Sequence, residues 1–261
     1  MSTALLELHN VHKRFGGVQA VRAVDLTLST TTILGLIGPN GAGKTTLVNM
    51  ISGTLLPSQG EIHFNQQRIT RLRPEHRCRL GMMRTFQNLS LFGDMSTVEN
   101  VALGANAWYR GGLRDLFTLR RLRETQLYEE ALSHLQTVGL KAQAAASPSA
   151  LSYGNQRKLE IARALMGRPR LLLLDEPAAG LNNRESQELA ELILDLRRSQ
   201  NLGIVLIEHD MDVLMAVSDT VVVLDQGAVL TRGAPRQVQR DPRVIEAYLG
   251  QDDIFDDLAD G

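Results

Sequence analysis

The chain has 261 residues, 43% of them apolar, a formal net charge of −1 and a single cysteine, Cys78. That length suits one to two domains, the charge balance excludes a global basic field for nucleic acid, and one cysteine excludes an internal disulfide and suits a reducing compartment. The N-terminus lacks a basic segment followed by an apolar stretch, and the wholly apolar runs are short, so neither a signal peptide nor a membrane span is expected.

Residues 5 to 32 read as strands. Val24, Leu26 and Leu28 alternate with Asp25, Thr27 and Ser29, the period-two pattern of a half-buried antiparallel strand. Phe15 adjoins a Gly16-Gly17 turn, where an aromatic serves either base stacking or the core. The apolar run Ile33 to Ile37 predicts a buried strand, and Thr46 to Ile51 a helix opening. Between them, Gly38-Pro39-Asn40-Gly41-Ala42-Gly43-Lys44-Thr45-Thr46 fills every fixed position of G-x-x-x-x-G-K-[ST] in the strand–loop–helix context this motif requires. In such a loop the backbone N–H groups turn towards a polyphosphate and the helix N-terminus favours its charge. Lys44 can reach the terminal phosphates, and the Thr45 hydroxyl can hold Mg²⁺.

A second short strand, Glu61 to Phe64, follows a Pro57 to Gly60 turn. From about residue 72 the pattern becomes helical and more basic, with Arg71, Arg73, Arg77 and Arg79. After Gln87 the apolar strand runs stop until Leu171. Thr97 to Leu140 is helix-like, with arginines at 110, 114, 120, 121 and 123 expected on a solvated face and Trp108 expected in packing.

Leu151-Ser152-Tyr153-Gly154-Asn155-Gln156 immediately precedes a helix whose apolar face is Leu159, Ala162, Leu165 and Met166. Ser152 and the Gly154 amide therefore fall at a helix N-terminus, a second anion site in one chain. Ser-x-Gly before a helix is by itself a capping arrangement. What favours the phosphate reading is its place just ahead of Leu171-Leu172-Leu173-Leu174-Asp175-Glu176-Pro177. That run predicts a fully buried strand ending in two carboxylates, where α/β sheets bind ligands. Successive strand residues face opposite ways, so Asp175 and Glu176 take different tasks: one serves the Mg²⁺ shell, the other orients or deprotonates a water aimed at the γ-phosphate.

Ala178 to Asn182 makes a turn, and the following helix shows Leu189, Leu192, Ile193 and Leu196 on one face. Gly203 to Ile207 predicts another buried strand, which places His209 at the same ligand edge as Glu176. Thr220 to Leu230 reads as a hairpin and Val244 to Leu249 as a short amphipathic piece. The tail after Gly250 carries five aspartates and is expected to be disordered.

Taken together these residues resemble an ABC-type ATPase subunit from about Leu5 to Gly250. Gly38 to Thr46 matches the family's Walker A motif, Gln87 its Q-loop glutamine, and Leu151 to Asn155 its signature sequence. Leu171 to Asp175 matches Walker B, Glu176 the catalytic base, Ala179 to Asn182 the D-loop and His209 the switch histidine. Phe15 falls where the family places its adenine-stacking aromatic. The signature reads Leu-Ser-Tyr-Gly-Asn rather than Leu-Ser-Gly-Gly-Gln, and the D-loop ends in Asn182 rather than Asp. Arg84-Thr85-Phe86-Gln87, Leu-Ser-Tyr-Gly, Asp175 to Asn182, Ile207 to Met211 and Ala247 to Gly250 together resemble the LivG-type subunits of branched-chain amino acid importers. Importers of urea and short amides carry similar phrases, and lipid-exporting ABC ATPases share the fold.

The resemblance implies an α/β fold: a P-loop NTPase (RecA-like) core at 5–86 and 166–240 with N-terminal antiparallel strands, an inserted α-helical subdomain at about 87–165, and an acidic tail at 251–261. It implies ATP and Mg²⁺ as cofactors. Phe15, Gly38, Asn40, Gly41, Gly43, Lys44, Thr45, Thr46, Ser152 and Gly154 would bind the nucleotide, Thr45, Gln87 and Asp175 would serve the metal, and Glu176, His209 and Gln87 would act in hydrolysis. The implied partners are membrane permease subunits, a second ATPase subunit (a sister or a second copy) in a head-to-tail dimer and, indirectly, a solute-binding protein. A groove beside Gln87 would receive a permease helix, with the chain peripheral on the cytoplasmic face of the membrane. A soluble ABC protein acting on ribosomes or DNA usually shows two cassettes or a long coiled-coil insert; here there is one cassette, with no sustained heptads.

Overall fold

The computed structural model describes residues 4–85, 89–107 and 120–249. In chain order, β1 (Ala4–Phe15) and β2 (Val18–Ser29) form an antiparallel hairpin, followed by β3 (Ile33–Ile37), α1 (Lys44–Ser52), β4 (Gln59–Phe64), β5 (Gln67–Arg68), α2 (Pro74–Arg79) and β6 (Met82–Arg84). Helices α3 (Thr97–Ala102), α4 (Arg120–Thr137) and α5 (Tyr153–Met166) come next. The chain then runs through β7 (Leu171–Asp175), α6 (Asn183–Gln200), β8 (Gly203–Ile207), α7 (Met211–Val217), β9 (Thr220–Asp225), β10 (Ala228–Gly233), α8 (Pro235–Gln239) and α9 (Pro242–Leu249).

The strands form two sheets. One is antiparallel in the order β2-β1-β4-β5; the other has the order β10-β9-β3-β8-β7-β6, parallel from β9 to β6 with β10 antiparallel at the edge. All five residues of β3, β7 and β8 are buried, which is why these strands read as unbroken apolar runs. Their side chains still alternate. Leu171, Leu173, Val205 and Ile207 face a core shared with α1 and the antiparallel sheet, whereas Leu172, Leu174, Ile204 and Leu206 face a core shared with α5 and α6. The expected burial of Val24, Leu26 and Leu28 and of the α5 face Leu159, Ala162, Leu165 and Met166 is observed. Helices α3, α4 and α5 pack on one another, with Val101, Ala131, Leu135 and Leu159 in their common core.

Arg77 shows the limit of reading charge from composition. It lies in the basic stretch that the sequence places on α2, yet only 1% of it is exposed. Its guanidinium donates to the carbonyls of Leu72, Met50, Ile51, Ile69 and Thr70 at 2.6–3.1 Å. Two of these carbonyls close the C-terminus of α1, where a cation complements the helix dipole. Burial lowers its pKa to about 10, so the group stays charged at neutral pH. It anchors the far end of the helix whose N-terminus carries Lys44. Replacing Arg77 by Ala is expected to cost about 3 kcal/mol of stability, because buried carbonyls lose a charged donor; an unchanged urea-unfolding midpoint would contradict this role.

Candidate nucleotide site

Because β3, β7 and β8 are parallel neighbours, their carboxyl ends emerge at one edge of the sheet, the edge at which such sheets bind ligands. From β3 the chain enters the 38–43 loop and then α1. Gly43 caps α1 with φ +99, and a Cβ there would lie 2.4 Å from the Ala20 carbonyl oxygen, so glycine is required on both counts. No side chain caps α1 and no acidic residue lies in its first turn, which leaves an electropositive helix start. Lys44 is buried and donates from Nζ to the carbonyls of Gly38 at 2.5 Å and Pro39 at 3.1 Å. Burial lowers its pKa, while the nearby Glu176 carboxylate works in the opposite direction. Thr45, Asn40 and Gly41 are exposed and Thr46 is half-buried.

The two carboxylates after β7 diverge, as alternation requires. Asp175 accepts from Arg84 Nη2 at 2.7 Å, and Arg84 also donates to Asn49 at 2.7 Å and Ser52 at 3.1 Å on α1. Both side chains of this ion pair are 9% exposed. Glu176 instead reaches across to the end of β8, where its Oε1 lies 2.7 Å from His209 Nε2. Glu176 has φ +49, an uncommon conformation for a side-chain-bearing residue, and its N–H is held by the Ile207 carbonyl at 2.9 Å.

Ser152 and Gly154 have other neighbours. Ser152 caps α5, its hydroxyl accepting from the Asn155 N–H at 3.3 Å, and no acidic residue lies in the first turn. Gly154 is buried where a Cβ would lie 2.8 Å from Glu185. Tyr153 takes the place of the usual signature glycine; Arg157 donates to its hydroxyl at 2.8 Å, and its ring sits over Gly180. Asn182 caps α6 in a reciprocal pair with Glu185, a task Asn and Asp perform equally well. Phe15 is 49% exposed at the end of β1, with Lys13 Nζ 5.1 Å from its ring centre, so it is not a core residue. Gln87, Trp108, the arginines at 110 and 114 and the tail from Gly250 lie outside the described residues, as do the side chains at 120–124.

Three features near the site are not read from the sequence: the Arg84–Asp175 ion pair, the buried Tyr248 beside the Gly38 backbone, and the buried Glu208 carboxylate. Burial raises the Tyr248 pKa to about 12. A groove of about 450 Å³ opens between the end of β6 and the helices, lined by Met83, Thr85, Phe92, Leu103, Glu160 and Arg163 among others. Among the described residues no helix is long and apolar enough to cross a membrane, and no three His, Cys, Asp or Glu side chains are grouped to hold a metal.

This is the fold of a P-loop nucleoside triphosphatase. Residues 21–179 match the ABC transporter family, and residues 228–254 match the family described as branched-chain amino acid ATP-binding cassette transporter. The high-affinity branched-chain amino acid transport ATP-binding protein BraF of Pseudomonas aeruginosa is 44% identical over 256 residues, which cover 96% of this chain and all of BraF. The ADP conformation of the cassette MJ1267 superposes with a TM-score of 0.85 at 28% identity, covering 96% of this chain and 100% of that one. The dimeric cassette MJ0796 does so with a TM-score of 0.76 at 25% identity, covering 89% and 99%. The chain belongs to the ABC transporter family of ATP-binding proteins.

The Arg84–Asp175 pair is testable by coupling. Arg84→Ala is expected to cost about 3 kcal/mol of stability, because a buried carboxylate loses its cation, and less than half of that in an Asp175→Asn background. Equal costs measured by denaturant unfolding in both backgrounds would show that the two side chains are not coupled.

Proposed function

We propose that this chain is the ATP-hydrolysing subunit of a membrane importer for branched-chain or other hydrophobic amino acids. The observation that carries the hydrolytic part is the convergence of Lys44, Glu176 and His209 at one sheet edge, with a carboxylate–imidazole contact of 2.7 Å. The loop from Gly38 through Asn40, Gly41 and Gly43 to Thr46 cradles the phosphates of ATP, Phe15 offers its open face to the base, and Glu176 accepts a proton from the attacking water. His209, bonded to Glu176, orients that carboxylate and faces the γ-phosphate. Thr45 and Asp175 would hold Mg²⁺, which would neutralise phosphate charge. The Thr45 hydroxyl and the Asp175 carboxylate are oxygen donors, the ligand type Mg²⁺ takes alongside phosphate and water oxygens. Gln87 would join this shell and link it to the helical subdomain at about 87–165.

The uncapped α1 start and the exposed Ser152 at the α5 start are two anion-ready helix ends in one chain. A head-to-tail pair of ATPase subunits makes use of both, with Ser152 and Gly154 of one closing on the nucleotide held by Lys44 of the other; the existence of a dimeric relative supports this arrangement. ATP would bind the closed pair better than ADP does, and that difference in affinity is what nucleotide can spend on conformation. The groove beside β6, lined by apolar and charged side chains with Phe92 exposed at its rim, would receive a cytoplasmic helix of a permease subunit, which would hold the chain peripherally on the cytoplasmic face of the membrane. The amino-acid assignment rests on the relationship to BraF and on the match at residues 228–254.

Glu176→Gln is expected to retain ATP binding and to hydrolyse at least about a hundredfold more slowly; near-normal turnover would place the base elsewhere. For the substrate, vesicles containing the complex isolated with its membrane subunits are expected to take up labelled leucine, isoleucine and valine in an ATP-dependent manner. Uptake of urea in their place would overturn the amino-acid reading.

A further inference from the structure

Glu208 follows β8 directly and is 3% exposed, although it precedes an exposed histidine. Its carboxylate turns inward under the site. Oε1 accepts the Ala178 N–H at 2.6 Å and Oε2 accepts the His209 N–H at 3.2 Å. Ala178 lies two residues after Glu176, in the turn that leaves β7. One buried side chain is therefore bonded to both loops that carry the Glu176–His209 pair. The sheet itself keeps these loops in register only as far as Asp175 opposite Ile207 and the Glu176 N–H on the Ile207 carbonyl. Beyond that point one path turns through Pro177 and the other enters α7 at its Asp210 cap. The strained φ of Glu176 lies within this same span.

We propose that Glu208 is a positioning residue for ATP hydrolysis: by clamping the Ala178 and His209 amides it holds the Glu176 carboxylate and the His209 imidazole at their mutual distance, without touching nucleotide. The inference rests on the reading of Glu176 and His209 as the hydrolytic pair. A displacement of about 1 Å between reacting groups can cost about a hundredfold in rate, so a clamp on these two loops acts on turnover far more than on binding. ATP is gripped by the β3 loop and α1, to which Glu208 makes none of the hydrogen bonds just described. Burial pushes the Glu208 carboxyl up to about 7 against the pull of the amides, so the clamp is fully ionised only somewhat above neutral pH.

Glu208→Gln keeps the shape and one acceptor but turns an NH₂ donor towards one of the amides. Measured at pH 8 on the full-length chain in its isolated complex, it is expected to lower kcat at least about tenfold while KM and the Kd for ATP stay within about twofold. A kcat within about threefold of the parent, or a loss matched by equally weakened ATP binding, overturns the proposal. If Glu208→Gln does not fold, Glu208→Asp, too short to reach both loops, is judged by the same criterion. Glu176→Gln is assayed alongside: if it turns over normally, the hydrolytic pair itself is wrong, whereas an inactive Glu176→Gln beside a fully active Glu208→Gln overturns the clamp alone.

Discussion

The parallel pairing of β3, β8 and β7 is the constraint on which the rest of the structure depends. Parallel neighbours deliver their carboxyl ends to the same edge, so three segments far apart in sequence arrive together: the Lys44 loop, the Asp175–Glu176 pair and His209. Their apolar side chains, alternating between the two faces of the sheet, hold the register, and a slip of one residue would turn each strand's buried set to the wrong face. Fold and chemistry thus share one cause.

Around that edge the chain keeps charge out of water only where it is paired. Arg84 spans from Asp175 to Asn49 and Ser52 on α1, Arg77 closes the far end of the same helix on the carbonyls of Met50 and Ile51, and Glu208 sits on backbone amides from two loops. Each of these buried side chains is held by fixed partners, which limits the cost of its burial. Tyr248 brings the C-terminal helix α9 beside the backbone of Gly38, so the described part of the segment that matches the branched-chain amino acid family lies against the 38–43 loop.

What the sequence revealed and what it hid follow from the range of the interactions. The runs at 33–37, 171–175 and 203–207 are legible because strands buried on both faces leave unbroken apolar stretches, and the strand, loop and helix around 38–43 are legible because glycine spacing is local. Phe15 could not be assigned from spacing, since a turn-flanking aromatic suits either surface or core; the fold leaves half of it open. Arg84, Arg77 and Glu208 were hidden for a different reason. A single charged residue looks the same in the sequence whether it is solvated or buried, and deciding partners lie 91 residues away for Arg84, 30 for Glu208, and 26 and 27 for two of the five carbonyls around Arg77. The D-loop departure at Asn182 is explained by its capping role, which local sequence carries but which shows only once α6 is seen to begin there.

The central claim is that the phosphate loop of one ATPase subunit and the Ser152 loop of its neighbour meet on the same triphosphate. Photolabelling with an ATP analogue reactive at the γ-phosphate tests it directly, in a complex where this chain carries Lys44→Ala and its ATPase partner keeps an intact phosphate loop. The account predicts labelled peptides spanning Leu151 to Gln156 of this chain, although its own loop no longer holds nucleotide. Labelling confined to the partner's own phosphate loop would contradict it.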